Sequence, residues 1–112
     1  MPVTVTNMVM ERGKAMRRAA KVDDNQTGIV SDLRQAGCCV LSLAAVGQGC
    51  PDLLVYRRTT GLLYLLEVKD GDKYPSQRKL TPQQVEFHKD WDVHVVNNST
   101  EALIATGVLT NE

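Results

Sequence analysis

The sequence predicts an α/β fold in which helices pack against one mixed sheet. Two features support this prediction: several short apolar or alternating runs bounded by turn residues, and helical patterns placed before, between and after them. The resulting order is α-β-β-β-α-β-α, which is typical of a layered domain. With 112 residues, the chain has the size of one such domain.

The first helix is expected over residues 25–36, where Asn25 follows two acids and Gly37 stands as a stop. Its apolar face consists of residues at helical spacing: Ile29, Val30, Leu33 and Ala36. The run CCVLSLAAV, residues 38–46, is too apolar and too short for an exposed helix. It is therefore predicted to be a strand buried on both faces.

A hairpin is expected next. Residues 52–58, DLLVYRR, and residues 62–69, LLYLLEVK, are predicted strands on either side of the turn residues TTG. Residues 70–79, DGDKYPSQRK, then form a polar loop with one proline.

The segment LTPQQVEFHKDW carries a strong helix start. Thr81 can cap it, Pro82 fits the first helical position, and Gln84 stands three residues after the cap. Three of its apolar residues are expected in the core: Val85, Phe87 and Trp91. His88 lies one turn after Gln84, where it either faces a site or is structural.

The C-terminal part alternates as a strand in DVHVV and turns at NNST. Ser99 or Thr100 is expected to cap a last helix, EALIAT, which stops before Gly107.

Composition limits the class of protein. Thirteen basic and thirteen acidic residues give no net charge, so a nucleic-acid partner would need a local patch or a bound cation. Three cysteines without metal-ligand spacing argue against a disulfide framework or a zinc site, and Cys38 and Cys39 are expected to be small buried side chains. No apolar run approaches membrane-spanning length and no secretion signal is evident, so no membrane partner and a cytoplasmic location are expected.

Two regions are predicted. Residues 1–22 form a peripheral basic arm that is either mobile or used in a dimer contact, and residues 23–112 form a single domain.

The hairpin loop length decides whether three charged residues meet. If the loop is residues 59–60 or residues 58–61, Asp52 stands directly opposite Glu67. Side chains alternate along a strand, so Asp52, Glu67 and Lys69 then project from one face, about 5–8 Å apart. A loop of odd length would shift the register by one residue and separate them.

Two adjacent carboxylates repel each other and need compensation. A shared proton, the neighbouring lysine or a divalent cation could each supply it, and oxygen ligands from Asp52, Glu67 and the Val68 carbonyl suit Mg²⁺ or Mn²⁺. Lys69 would then hold an attacking water or stabilise developing charge. The competing interpretation is an ordinary ion pair at the solvated end of a strand.

The motifs GCPDLLV, LLEVKDG and KLTPQQVEFHKDW together resemble the small stand-alone VRR-NUC domains of phages and bacteria, within the PD-(D/E)xK nuclease superfamily. The resemblance covers about residues 23–91 and implies a restriction-endonuclease-like α-β-β-β-α-β core. It also implies that Asp52 and Glu67 bind magnesium, that Lys69 serves the water nucleophile, and that Gln84 orients substrate or a ligand. If the chain is phage-encoded, its location would be the host cytoplasm.

One position departs from the family pattern. Where the family often carries a glutamate at the start of its first helix, this sequence has Gln26. An amide adds no charge, so Gln26 is not counted as a metal ligand.

Local basic and polar residues are the candidates for contacts with DNA phosphates. They are Arg57 and Arg58 beside the hairpin turn, and Lys73, Gln77, Arg78 and Lys79 in the polar loop. A solvated loop without such contacts is the alternative interpretation.

The function expected from these observations is a metal-dependent, structure-selective DNA endonuclease. A homodimer acting on branched DNA as a Holliday-junction resolvase would suit a substrate with two-fold symmetry. The alternatives are a non-catalytic nucleic-acid-binding or partner-binding module with the same fold, and a nicking or flap nuclease within a larger assembly.

Overall fold

The computed structural model describes residues 25–110, so the basic arm proposed for residues 1–22 lies outside the described residues. The helices are α1 (Gln26–Gln35), α2 (Pro82–Asp90) and α3 (Ser99–Ala105), with a 3-10 turn at Pro75–Gln77. The strands are β1 (Cys38–Ser42), β2 (Leu53–Arg57), β3 (Leu62–Val68) and β4 (Val93–Val96). The predicted element order is therefore confirmed.

The four strands form one mixed sheet in the order β1-β2-β3-β4. The pairs β1–β2 and β2–β3 are antiparallel, whereas β4 joins β3 in parallel. This parallel connection is possible because the loop after β3 and helix α2 carry the chain back across the sheet.

One face of the sheet forms the core. Helix α1 contacts β1 and α3, and α3 also contacts β4. Alternate residues of the strands are buried beneath these helices, as the side-chain period of a strand requires. The buried apolar cluster comprises Ile29, Leu33, Cys38, Leu53, Val55, Leu66, Val68, Val96 and Ala102.

The opposite face of the sheet, here called the open face, carries apolar residues that remain exposed. They are Leu41, Tyr56, Leu63 and Val95, each between 40% and 63% exposed. The prediction that residues 38–46 form a strand buried on both faces was wrong. Strand β1 ends at Ser42 and pairs with β2 alone. Cys38 is buried beneath the helices as predicted, but Cys39 points to the open face and is exposed, so its predicted burial was wrong.

Helix α2 has the predicted start but not the predicted packing. Thr81 and Gln84 form a reciprocal capping box, with Pro82 in the first turn. Val85 and Trp91 are 47% and 56% exposed, so their placement in the core was wrong. Trp91 instead stacks on Phe87, with ring centroids 5.3 Å apart.

The last helix has a different cap from the one expected. Asn98, rather than Ser99 or Thr100, accepts a hydrogen bond at Oδ1 from the Glu101 backbone N–H at 2.9 Å. Within the described part of the chain, no helix combines the length and apolar character that a bilayer crossing needs.

Candidate active site

The hairpin has the register that brings the charged residues together. Arg57 pairs with Leu62 and Leu53 pairs with Leu66, which leaves a four-residue loop at residues 58–61. The next position before β2 is Asp52, which therefore stands opposite Glu67 near the end of β3. The convergence predicted from loop length is present in the structure.

The carboxyl group of Glu67 is buried, and that of Asp52 is half-buried beside it. The Glu67 side chain is only 3% exposed, and Oδ2 of Asp52 accepts a hydrogen bond from the Val68 backbone N–H at 2.7 Å. Burial and then the nearby Asp52 charge raise the pKa of Glu67 to about 8, against the opposing effect of Lys69. At neutral pH the pair therefore favours a shared proton or a cation.

Gln84 connects the cap of α2 to the charged residues. Its Nε2 donates to Oε2 of Glu67 at 2.9 Å, while its Oε1 accepts from the Thr81 backbone N–H at 2.9 Å and from Nζ of Lys69 at 3.2 Å. Nζ of Lys69 also lies 3.5 Å from Oε2 of Glu67. One amide thus completes a helix cap and fixes both charged side chains at the end of β3.

A glycine lets the loop before β2 approach helix α2. At Gly49, φ is +80°, and a Cβ would collide with the backbone carbonyl of Gln83. Only glycine meets both requirements without strain. This close approach positions the Cys50–Pro51–Asp52 segment against the first turn of α2, where Gln84 lies.

The donor set fits a hard divalent cation held by few protein ligands. Oε1 of Glu67 is buried and receives no hydrogen bond from any described residue. The carboxyl group to which it belongs lies next to Asp52. No group of three or more His, Cys, Asp or Glu residues suited to a metal occurs within residues 25–110. Two carboxylates completed by water match the way in which Mg²⁺ is commonly bound.

The backbone around Val68 connects the pair to the rest of the sheet. Val68 is buried and pairs with Val96 of β4, while its N–H holds Asp52. Its carbonyl remains a predicted ligand only.

The start of α1 is tied to the same end of the sheet. Asn25 donates from Nδ2 to the backbone carbonyls of Lys69 at 3.2 Å and Asn97 at 2.9 Å. Gln26 follows it, 5% exposed, with its Oε1 buried and without a donor among the described residues. The sequence indicated Asn25 only as a helix start, because nothing in its spacing predicts contacts so distant along the chain.

Two further residues lie near the charged cluster. The pKa of His88 is lowered by burial and by the charge of Lys69, so this histidine belongs to the side of α2 that faces the site. The pKa of the Cys50 thiol is raised by burial and then by Asp52 and Glu67. Cys50 was missed at the sequence level, although its place two residues before Asp52 was the available signal.

Arg57 and Arg58 are not brought to the site. They lie at the other end of the hairpin, where Arg57 is about 17 Å along the strand from Asp52 at 3.3 Å per residue. Nη1 of Arg57 donates to the Thr106 carbonyl at 3.4 Å, and Nε of Arg58 approaches Sγ of Cys39 at 3.3 Å. Arg57 thus has a structural contact at the end of α3.

The four remaining phosphate-contact candidates lie in the loop whose two ends are at the site. Lys73, Gln77, Arg78 and Lys79 belong to the segment that joins Lys69 to the cap of α2. Their position is compatible with the predicted contacts, which remain a prediction.

The fold and this cluster of acids, lysine and glutamine define an α/β domain of the nuclease type. Searches against family models and curated proteins gave no match. A solved structure described as a "VRR_NUC domain" is similar to this chain, with 25% sequence identity, a TM-score of 0.55, and coverage of 81% of this chain and 100% of that one. The similarity confirms the resemblance to VRR-NUC domain proteins and the predicted α/β class.

Proposed function

We propose that this protein is a metal-dependent, structure-selective DNA endonuclease. The observation that carries the proposal is the Asp52–Glu67 pair, in which the buried carboxyl group of Glu67 contacts both Lys69 and Gln84. A simple solvated ion pair does not account for it, since Lys69 and Glu67 are only 14% and 3% exposed. The similarity to a solved VRR_NUC domain supports hydrolysis of a nucleic acid.

Asp52 and Glu67 would hold Mg²⁺ or Mn²⁺, with the Val68 carbonyl as a further oxygen donor. The cation would neutralise negative charge on the phosphate and would lower the pKa of a water molecule bound to it.

The chain's own residues would position the attacking water at the phosphate. Lys69 carries three N–H donors, and the contacts of its Nζ with Gln84 and Glu67 hold that group at the site. It orients the water that attacks phosphorus and stabilises the negative charge that develops on the phosphoryl oxygens. The bond from phosphorus to the 3′ oxygen breaks, leaving 5′-phosphate and 3′-hydroxyl ends.

We propose a homodimer because the described residues contain one carboxylate pair of this kind. Paired incisions in branched DNA need two sites, and an isologous dimer would relate them by two-fold symmetry. The exposed apolar residues of the open face are the surface that we propose for this contact.

A non-catalytic binding module is the second candidate. The neutral amide of Gln26, which stands where the family often carries an acid, favours it because one potential charge is missing. This candidate predicts that Asp52→Asn leaves every measurable function intact.

The test is cleavage of labelled four-way junction, flap, splayed and linear DNA with magnesium, manganese or chelator. Wild type is compared with Asp52→Asn and Lys69→Ala, and Asp32→Asn, on the exposed side of α1, serves as the control. We expect metal-dependent cutting of branched DNA that both site variants lose and the control retains. No cutting by folded wild-type protein on any of these DNAs would favour the binding module.

A further inference from the structure

Tyr74 has a side chain in solvent, in the polar loop beside the proposed active site. It is 77% exposed, more than any other large hydrophobic residue among residues 25–110. A single exposed aromatic residue needs no explanation by itself. The way in which the loop holds Tyr74, however, is specific.

The backbone around Tyr74 is fixed by hydrogen bonds. Its carbonyl accepts from the Gln77 N–H at 2.8 Å, and Nε of Arg78 donates across the turn to the Lys73 carbonyl at 2.9 Å. Pro75 begins the 3-10 turn and restricts the chain immediately after Tyr74. The ring is therefore presented to solvent from a preorganised backbone, which lowers the entropy cost of binding something against it.

Both ends of this loop are anchored at the site. Lys69 precedes it, and Thr81 and Gln84 follow it, joined by the hydrogen bonds of the Gln84 amide. Five residues of extended chain span at most about 18 Å, which limits the distance between the Cα atoms of Tyr74 and Lys69. A DNA strand positioned at the carboxylates therefore lies within a few nucleotides of the ring.

The charges around Tyr74 favour a nucleic acid over an apolar partner. Lys73, Arg78 and Lys79 lie in the same loop. The acids of this loop are Asp70 and Asp72, and Oδ1 of Asp70 is engaged by the Asp72 N–H at 3.0 Å. An aromatic ring beside cations is the combination that binds single-stranded nucleic acid, through base stacking and phosphate contacts.

We propose that Tyr74 is a stacking platform for an unpaired nucleobase. Bases inside a duplex already stack on their neighbours, whereas unpaired bases at a branch, bulge or flap offer a free π-face. This site would give the nuclease its preference for irregular DNA. The inference rests on the proposed function for its biological role, but the binding it describes is independent of catalysis.

The test is binding in chelator, where the strands stay intact, to two DNAs of equal length. One is fully paired, and the other carries two unpaired nucleotides that include the fluorescent base 2-aminopurine. We expect Tyr74→Ala to weaken binding of the unpaired substrate roughly 5- to 150-fold and to leave the paired duplex within about twofold. Wild type and Tyr74→Phe should quench the 2-aminopurine emission, and Tyr74→Ala should not.

Trp91→Ala is the control, since it removes another exposed aromatic residue, 56% exposed. An equal loss on both DNAs, no loss, or the same selective loss in Trp91→Ala would overturn the proposal. Selective binding through Tyr74 without cleavage under any metal would instead refute the proposed nuclease activity and leave the stacking site standing.

Discussion

At the scale of single residues, the carboxyl group of Glu67 experiences opposing effects on its pKa. Its side chain is almost completely buried, yet its carboxyl group interacts with three polar side chains: Lys69, Gln84 and Asp52. Burial and the Asp52 charge raise its pKa to about 8, so folding favours the protonated form. Releasing that proton without replacing it by a cation destabilises the folded state.

The stability of chelator-treated protein should therefore fall as the pH rises. The folded-state pKa of Glu67 lies above the ordinary carboxyl value of 4.5, so its contribution is complete below that value and is lost as the pH approaches 8. Thermal unfolding between pH 5 and 8 measures this trend. Glu67→Gln should flatten it and the exposed Glu86→Gln should not; a wild-type curve parallel to that of Glu67→Gln would contradict the assignment.

Gln84 should matter for both stability and catalysis, because its amide serves the cap and the site together. Gln84→Ala is expected to lower the free energy of unfolding by about 1–2 kcal/mol and to reduce cleavage at saturating DNA. Thr81→Ala removes the other half of the cap and should reproduce the stability loss while retaining most of the activity. Equal activity losses in the two variants would assign Gln84 a purely structural role.

At the scale of secondary-structure elements, the loop before β2 and helix α2 depend on one another. Gly49→Ala adds a Cβ against the Gln83 carbonyl at a positive φ, so we expect a loss of about 2–4 kcal/mol in stability. Gly47→Ala is the matched control, with φ +75° and no atom within 4 Å of its Cβ. It should cost only about 1 kcal/mol; chemical denaturation of both variants measures the difference, and equal losses would contradict the packing argument.

The sequence predicted the elements where the local signals were strong. The sequence placed Asp52 opposite Glu67 on the condition of an even hairpin loop, which the structure has, and the spacing from Thr81 to Gln84 was enough to define the cap. It failed where tertiary packing decides. Strand β1 was predicted to be buried on both faces because its residues are apolar. In the structure it is an edge strand that pairs with β2, and helices cover one of its two faces.

Long-range contacts were also outside the reach of sequence patterns. Arg57 was predicted to be a candidate for contacts with DNA phosphates, yet in the fold it donates to the Thr106 carbonyl at the end of α3. Asn25 reaches Lys69 and Asn97, which lie 44 and 72 positions further along the chain. No local periodicity encodes such pairings.

At the scale of the whole molecule, the open face should determine the oligomeric state. Leu63 is 63% exposed on that face, whereas Leu62 is 54% exposed and points to the other side of the sheet. Leu63→Lys should convert a dimer into a monomer in light-scattering measurements, since it would place a charge in the apolar contact, and Leu62→Lys should not. A wild-type monomer at high concentration would contradict the dimer proposal.

The central claim is that Asp52 and Glu67 together hold a divalent cation. The most direct measurement is calorimetric titration of metal-free protein with manganese at pH 7, in two buffers of different ionisation enthalpy, for wild type and Asp52→Asn. We predict binding that releases protons, because the cation replaces the proton favoured by the raised pKa of Glu67, and loss of this binding in Asp52→Asn. Unchanged binding in the variant, or no binding by folded wild-type protein, would contradict the account.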